Sequence, residues 1–137
     1  MTRPFTLGIE EEFQMVDKHT GQLSSNIHTI LEKGVPRLGE SIKPEMLQST
    51  VELVTGICPS ITAARQELHY LRTTLADSVA SEGLALVSAG THPNAHWQDQ
   101  TSTPSERYQA LEQEYQDVGR SILIFGLHVH VGIDNHD

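Results

Sequence analysis

Hydrophobic and polar positions repeat with a period of two in some stretches and three to four in others, and that change of period predicts the elements. Over residues 5–16, Leu7, Ile9, Phe13 and Met15 fall on one side and Gly8, Glu10, Glu12 and Gln14 on the other. This is the pattern of a half-buried strand. Asp17–Gly21 has the composition of a turn. Asn26 is placed to cap a short helix carrying Ile27, Ile30 and Leu31, with Gly34 past its end. Residues 45–54 predict a second strand, with Leu47, Val51 and Leu53 opposite Gln48, Thr50 and Glu52, ended by Cys58-Pro59. Ser60 then caps a long helix whose apolar stripe is Ile61, Ala64, Leu68, Leu71, Leu75 and Val79, and Gly83 stops it.

Residues 84–89 form a short apolar run, expected as a buried strand, followed by a GTHP turn (90–93) and a polar loop around Trp97. Thr103-Pro104-Ser105-Glu106 reads as a capping box with proline at the first helical position. The helix that follows carries Tyr108, Leu111, Tyr115, Val118 and Ile122. The last segment alternates strictly: Leu127, Val129, Val131 and Ile133 face one way, and Gly126, His128, His130, Gly132 and Asp134 the other. No glycine-rich phosphate loop follows the first strand. The expectation is an α+β fold with a mainly antiparallel sheet. The two long helices should cover one face, leaving the polar side chains on the other. No linker divides the chain, so 1–137 is expected as a single domain.

Charge narrows the chemistry. The 137 residues carry 9 Lys+Arg and 18 Asp+Glu, a formal net charge of −9. Such a chain has little with which to displace counterions from a nucleic acid, and it suits neither that partner nor an anionic membrane surface. It does suit cations, if carboxylates converge. The single cysteine, Cys58, excludes an intramolecular disulfide framework and fits a reducing compartment. No apolar stretch has signal-peptide or membrane-spanning length, so a cytoplasmic location is expected.

Three groups of residues could carry chemistry. Glu10 and Glu12 lie two apart on one strand face, about 7 Å along it. Glu11 between them points to the apolar face and needs a partner, a sheet edge or a bulge. A lone pair of this kind is more often a solvated face than a site. Glu45 and Glu52, seven apart, serve one site only if a bulge intervenes or Glu45 precedes the regular strand. His128 and His130, with Asp134 nearby, share a strand face in a common metal-ligand arrangement, against which stands the reading of two hydrogen-bonded surface imidazoles. His92, within GTHP, is the other histidine retained. Tyr70, Tyr108 and Tyr115 are read as helix-face packing. If the three strands adjoin, their polar faces form a carboxylate-rich trough that could hold paired divalent cations, which suit phosphoryl transfer.

TLGIEEEF (6–13), E-x6-E-L-x-T-x2-C (45–58), GTHP with its later Trp (90–97), RY (107–108) and GLHVHVG (126–132) occur in this order. Together they resemble the carboxylate–amine ligase family, also called glutamate–cysteine ligase type 2. The resemblance implies a glutamine-synthetase-like catalytic sheet and ATP-dependent amide formation through a γ-glutamyl phosphate, with ADP and phosphate released. It implies ATP and Mg, or Mn, as cofactors. Its substrates would be glutamate and cysteine or another amine. By position, Glu10 and His128 would hold the metal nearer the transferred phosphate, and Glu12, Glu45 and Glu52 the metal nearer the substrate. His130 would neighbour phosphate or nucleotide, and Thr91 and His92 would bind substrate. Family members continue well beyond HVHVG, so this chain is expected to be the N-terminal portion of a longer catalytic domain, with an exposed sheet edge where further strands would pair. A homo-oligomer is one way to cover it. Two other readings stay open: a mononuclear histidine-dependent metal protein or hydrolase, and a non-catalytic ligase fragment.

Overall fold

The structure is a computed structural model that describes residues 5–133; Asp134 and His136 lie outside the described residues. In chain order the elements are β1 (Thr6–Asp17), α1 (Ile27–Leu38), β2 (Ile42–Pro44), β3 (Thr50–Val54), α2 (Ile61–Ala80), β4 (Leu84–Val87), α3 (Glu106–Arg120) and β5 (Leu127–Gly132). The fold is α+β with a five-stranded sheet, and its ladders are antiparallel.

The long strand β1 organises the sheet. On one side Glu10–Gln14 pair with β3, which pairs in turn with β2. On the other side β5 pairs with Thr6–Glu11 and β4 with Gln14–Asp17. Only Glu10 and Glu11 are therefore laddered to both β3 and β5. Phe13 and Met15 of β1 and Val51 and Leu53 of β3 turn to the helix face. They meet Ile27, Ile30 and Leu38 of α1 and Leu71, Leu75 and Val79 of α2 in the core. Ser60 caps α2 as expected, its hydroxyl accepting from the Ala63 N–H at 3.2 Å.

Five expectations change. Gly34 does not end α1. It is buried inside the helix, where an added Cβ would come 2.6 Å from Ile42 Cδ1, so the glycine serves close approach of the helix to β2, and the helix ends at Gly39, whose φ is 57°. The expected strand over 45–54 is the second half of a hairpin: β2 ends at Pro44, and the ladder resumes only at Thr50. The sheet is covered by α1 and α2, not by α3, whose one buried residue is Gly119 and whose backbone breaks at Gln116 with φ 48°. Thr103 caps nothing. Its hydroxyl donates to the Glu45 carbonyl at 2.5 Å, and the helix starts later, at Glu106. The strand at 84–89 is shorter, Leu84–Val87, and lies at a sheet edge with only Leu84 buried.

Glu11 finds the partner it required. It is 3% exposed on the helix face, and Arg72 of α2 meets both its oxygens, Nε to Oε2 at 2.6 Å and Nη2 to Oε1 at 2.5 Å. Beside this pair the N-terminal end of the α2 stripe is uncovered. Ile61, Leu68, Leu7, Ile9 and Val129 line a groove of about 850 Å³. The aliphatics of β5 are likewise open, with Leu127, Val129, Val131 and Ile133 all more than half exposed.

Candidate metal centre

The face of β1 opposite the core carries the candidate residues, because strand alternation that sends Glu11 and Phe13 inward sends Glu10 and Glu12 outward. Glu12 lies directly across from Glu52 in the β1–β3 ladder. Glu45 stands just after Pro44, where the hairpin has left its ladder and the side chain can swing back. The seven-residue separation that is awkward for one strand is thus resolved by the turn. Glu12, Glu45 and Glu52 each offer an oxygen, and these atoms all lie within 4.8 Å of one another.

Local hydrogen bonds aim two of the three. Glu12 Oε2 accepts from the Gly126 N–H at 2.8 Å, and Glu45 Oε2 from the Met46 N–H at 2.9 Å. Burial raises the pKa of Glu12, and the charges of Glu45 and Glu10 add to it against the Gly126 N–H. Burial likewise raises Glu52, helped by Glu45 and Glu10 and opposed by Lys43. Like charges crowded into partial burial make a site that gains when a cation enters. An all-carboxylate donor set is hard oxygen chemistry, which fits Mg²⁺ or Mn²⁺.

Glu10 lies beside this cluster in a different setting. His128 is its direct cross-strand neighbour on β5. His128 Nδ1 and His130 Nε2 each approach the same Glu10 oxygen at 3.3 Å. The His130 hydrogen bond, then that of His128, lowers the Glu10 pKa against its desolvation. Strand alternation placed His128 and His130 on one face, and the resemblance implied only His128 beside Glu10; in the structure both imidazoles approach that one carboxylate.

A cavity of about 280 Å³ opens on the cluster, lined by Glu12, Glu45, Thr50, Phe125, Gly126 and His128 among others. Thr91 and His92 are not among the residues lining it. Thr91 Oγ1 donates to the Leu123 carbonyl at 2.8 Å, and Phe125 N–H to the Gly90 carbonyl at 3.0 Å, so this turn braces the cavity wall. His92 Nε2–H donates to the Gly21 carbonyl at 2.8 Å. One contributor escaped the sequence reading: the Gly126 N–H, a backbone group with no sequence signal. Tyr108, read as helix-face packing, lies in the first turn of α3, where burial raises its pKa and the charges of Glu45, Glu52 and Glu12 add to the shift. Cys58 is buried, its thiol pushed up by burial and by the Glu67 carboxylate 3.3 Å away, which makes it a poor nucleophile.

Residues 6–137 match the model of glutamate–cysteine ligase family 2. The chain belongs to this family. A family-2 relative from Herpetosiphon aurantiacus, provisionally named glutamate–cysteine ligase 2, is 46% identical over 134 residues, covering 98% of this chain and 35% of its own. One of the same provisional name from Chloroflexus aurantiacus is 49% identical over 133 residues, covering 97% and 34%. The chain thus spans about a third of the length of these family-2 proteins. A crystal structure of glutamate–cysteine ligase from Francisella tularensis in complex with AMP superposes with a TM-score of 0.73 at 20% identity, covering 97% of this chain and 28% of that one. That likeness supports the shared fold. No helix among the described residues is long and apolar enough to cross a membrane.

Proposed function

We propose that this chain supplies the N-terminal part of an ATP-dependent carboxylate–amine ligase that joins glutamate to cysteine or another amine. The supporting observation is the convergence of Glu12, Glu45 and Glu52 within 4.8 Å, with the Glu10–His128–His130 group beside it on the same sheet face. Glu12, Glu45 and Glu52 would hold one divalent cation, and Glu10 with His128 the other. Bound there, the cations would neutralise the charge between a triphosphate and a substrate carboxylate that otherwise repel. The AMP in the Francisella neighbour supports nucleotide use by this fold.

The reaction balances without a covalent enzyme intermediate. A glutamate γ-carboxylate oxygen attacks the γ-phosphorus of ATP, the bond to the bridging oxygen breaks, and ADP leaves. The amine nitrogen then attacks the acyl carbon of the γ-glutamyl phosphate, phosphate departs with the bonding pair, and the amine loses a proton. The chain's own contribution is placement. The β1–β3 ladder sets Glu12 against Glu52, and the Gly126 N–H orients Glu12.

The test is a chimera in which this segment replaces the matching third of the Herpetosiphon relative. It should release phosphate only with ATP, Mg²⁺, glutamate and an amine together. Glu12→Gln in that chimera should abolish release, and full turnover in the variant would defeat the assignment. The two imidazoles on one Glu10 oxygen favour a second reading, a mononuclear histidine metal site. Elemental analysis separates them: stoichiometric Zn or Fe with no ATP dependence supports the second.

A further inference from the structure

We infer that Arg72 is a positioning residue for the metal centre: its two-pronged hold on Glu11 fixes the point of β1 from which Glu10 and Glu12 project. The inference rests on the metal-centre reading above and extends it to a residue on the opposite face of the sheet.

Three consecutive glutamates on a strand cannot share a face. With Glu10 and Glu12 outward, Glu11 must enter the helix side, where it is 3% exposed. An unpaired carboxylate there would be costly, and any apolar residue would suit the adjoining core better. What the charge provides is geometry. Two different guanidinium nitrogens of Arg72 occupy its two oxygens, at 2.6 and 2.5 Å. That arrangement fixes the plane of the carboxylate as well as its location.

The place of the pair in the sheet gives it reach. Glu11 is laddered to Leu53 of β3 and to Leu127 of β5. These are the strands that bring Glu52 and His128 to the site. The tie from α2 therefore grips β1 at the overlap of the two strands that complete the two halves of the centre. On the front face Glu12, Glu45 and Glu52 repel one another, and Glu12 and Glu52 sit on paired strands. A rigid hold from behind resists the splaying that this repulsion drives.

The experiment is an Mn²⁺ titration followed by electron paramagnetic resonance on the 137-residue chain, with thermal melts in parallel. Arg72→Met should weaken Mn²⁺ binding on the order of tenfold, the scale of outer-sphere effects on metal affinity. Arg72→Lys keeps the charge and loses the fork, and should fall between. Because Arg72→Met leaves a buried carboxylate unpaired and can unfold the chain, the double variant Glu11→Met/Arg72→Met is included. Replacing both partners by apolar residues removes that penalty. It should melt like the wild type yet bind Mn²⁺ more weakly. Wild-type affinity in a stably folded double variant, or in Arg72→Lys if the double variant does not fold, overturns the inference. Failure of the wild type to bind Mn²⁺ is a different result: it overturns the metal-centre reading, and the inference with it.

Discussion

Glu12 and Glu52 carry their charge reluctantly, and this has a direction in pH. Burial first, then the neighbouring carboxylates, raises both above the ordinary 4.5. In the metal-free chain they favour folding most below pH 4.5, and that contribution is lost as pH climbs through the raised values. Glu10 runs oppositely. Its lowered pKa gives a contribution present above 4.5 that disappears as pH falls through the lowered value. Urea midpoints in EDTA should therefore decline as pH rises above 4.5, and saturating Mn²⁺ should flatten the decline. Proton competition also means that apparent Mn²⁺ affinity should increase with pH over the same window. Glu52→Gln should weaken Mn²⁺ binding by at least about tenfold, roughly 1.4 kcal/mol, in a calorimetric titration. Glu10 and Glu12 were legible as a pair because strand period alone puts them on one face. The grouping of Glu45 with Glu52 was legible only conditionally, as a pair that could meet if Glu45 preceded the regular strand, because the apolar run over 45–54 does not show where the ladder resumes.

Elements were most legible where one apolar stripe met one core. The α2 helix matches its expected start because Ser60 is a side-chain cap in fact as well as in sequence. Ser60→Ala should cost about 1 kcal/mol. Leu75, fully buried, should cost about 2–5 kcal/mol as alanine. Ile61, in the same stripe but 78% exposed, should change stability by less than about 0.5 kcal/mol when replaced by serine. Urea denaturation of the three variants checks this gradient along one helix. Helix α3 departs from expectation for a physical reason: the break at Gln116 parts Val118 from Leu111 and Tyr115, Ile122 lies past the helix end, and an apolar spacing in sequence does not say what covers it. Tyr115, Val118 and Ile122 are exposed. Gly34 shows the reverse failure, a residue read as a stop signal that is needed for helix–strand contact.

Across the whole molecule, one face of the sheet is finished and the other side of β5 is not. Leu127, Val129, Val131 and Ile133 stand open beside the groove lined by Leu7, Ile9 and Ile61. An apolar strand so exposed favours association. Sedimentation velocity should show concentration-dependent self-association of this chain, reduced by Val131→Lys. If the proposed cation site at Glu12, Glu45 and Glu52 is right, it also implies an order of assembly. Glu12, Glu45 and Glu52 all emerge within the first 52 residues, on a hairpin and the strand beside it. The imidazoles reach Glu10 only across more than a hundred intervening residues. A nascent polypeptide leaving the ribosome could therefore acquire its first ion before β5 had been synthesised. The ion would then clasp the hairpin to β1 and prepare the seam into which the histidine strand later docks.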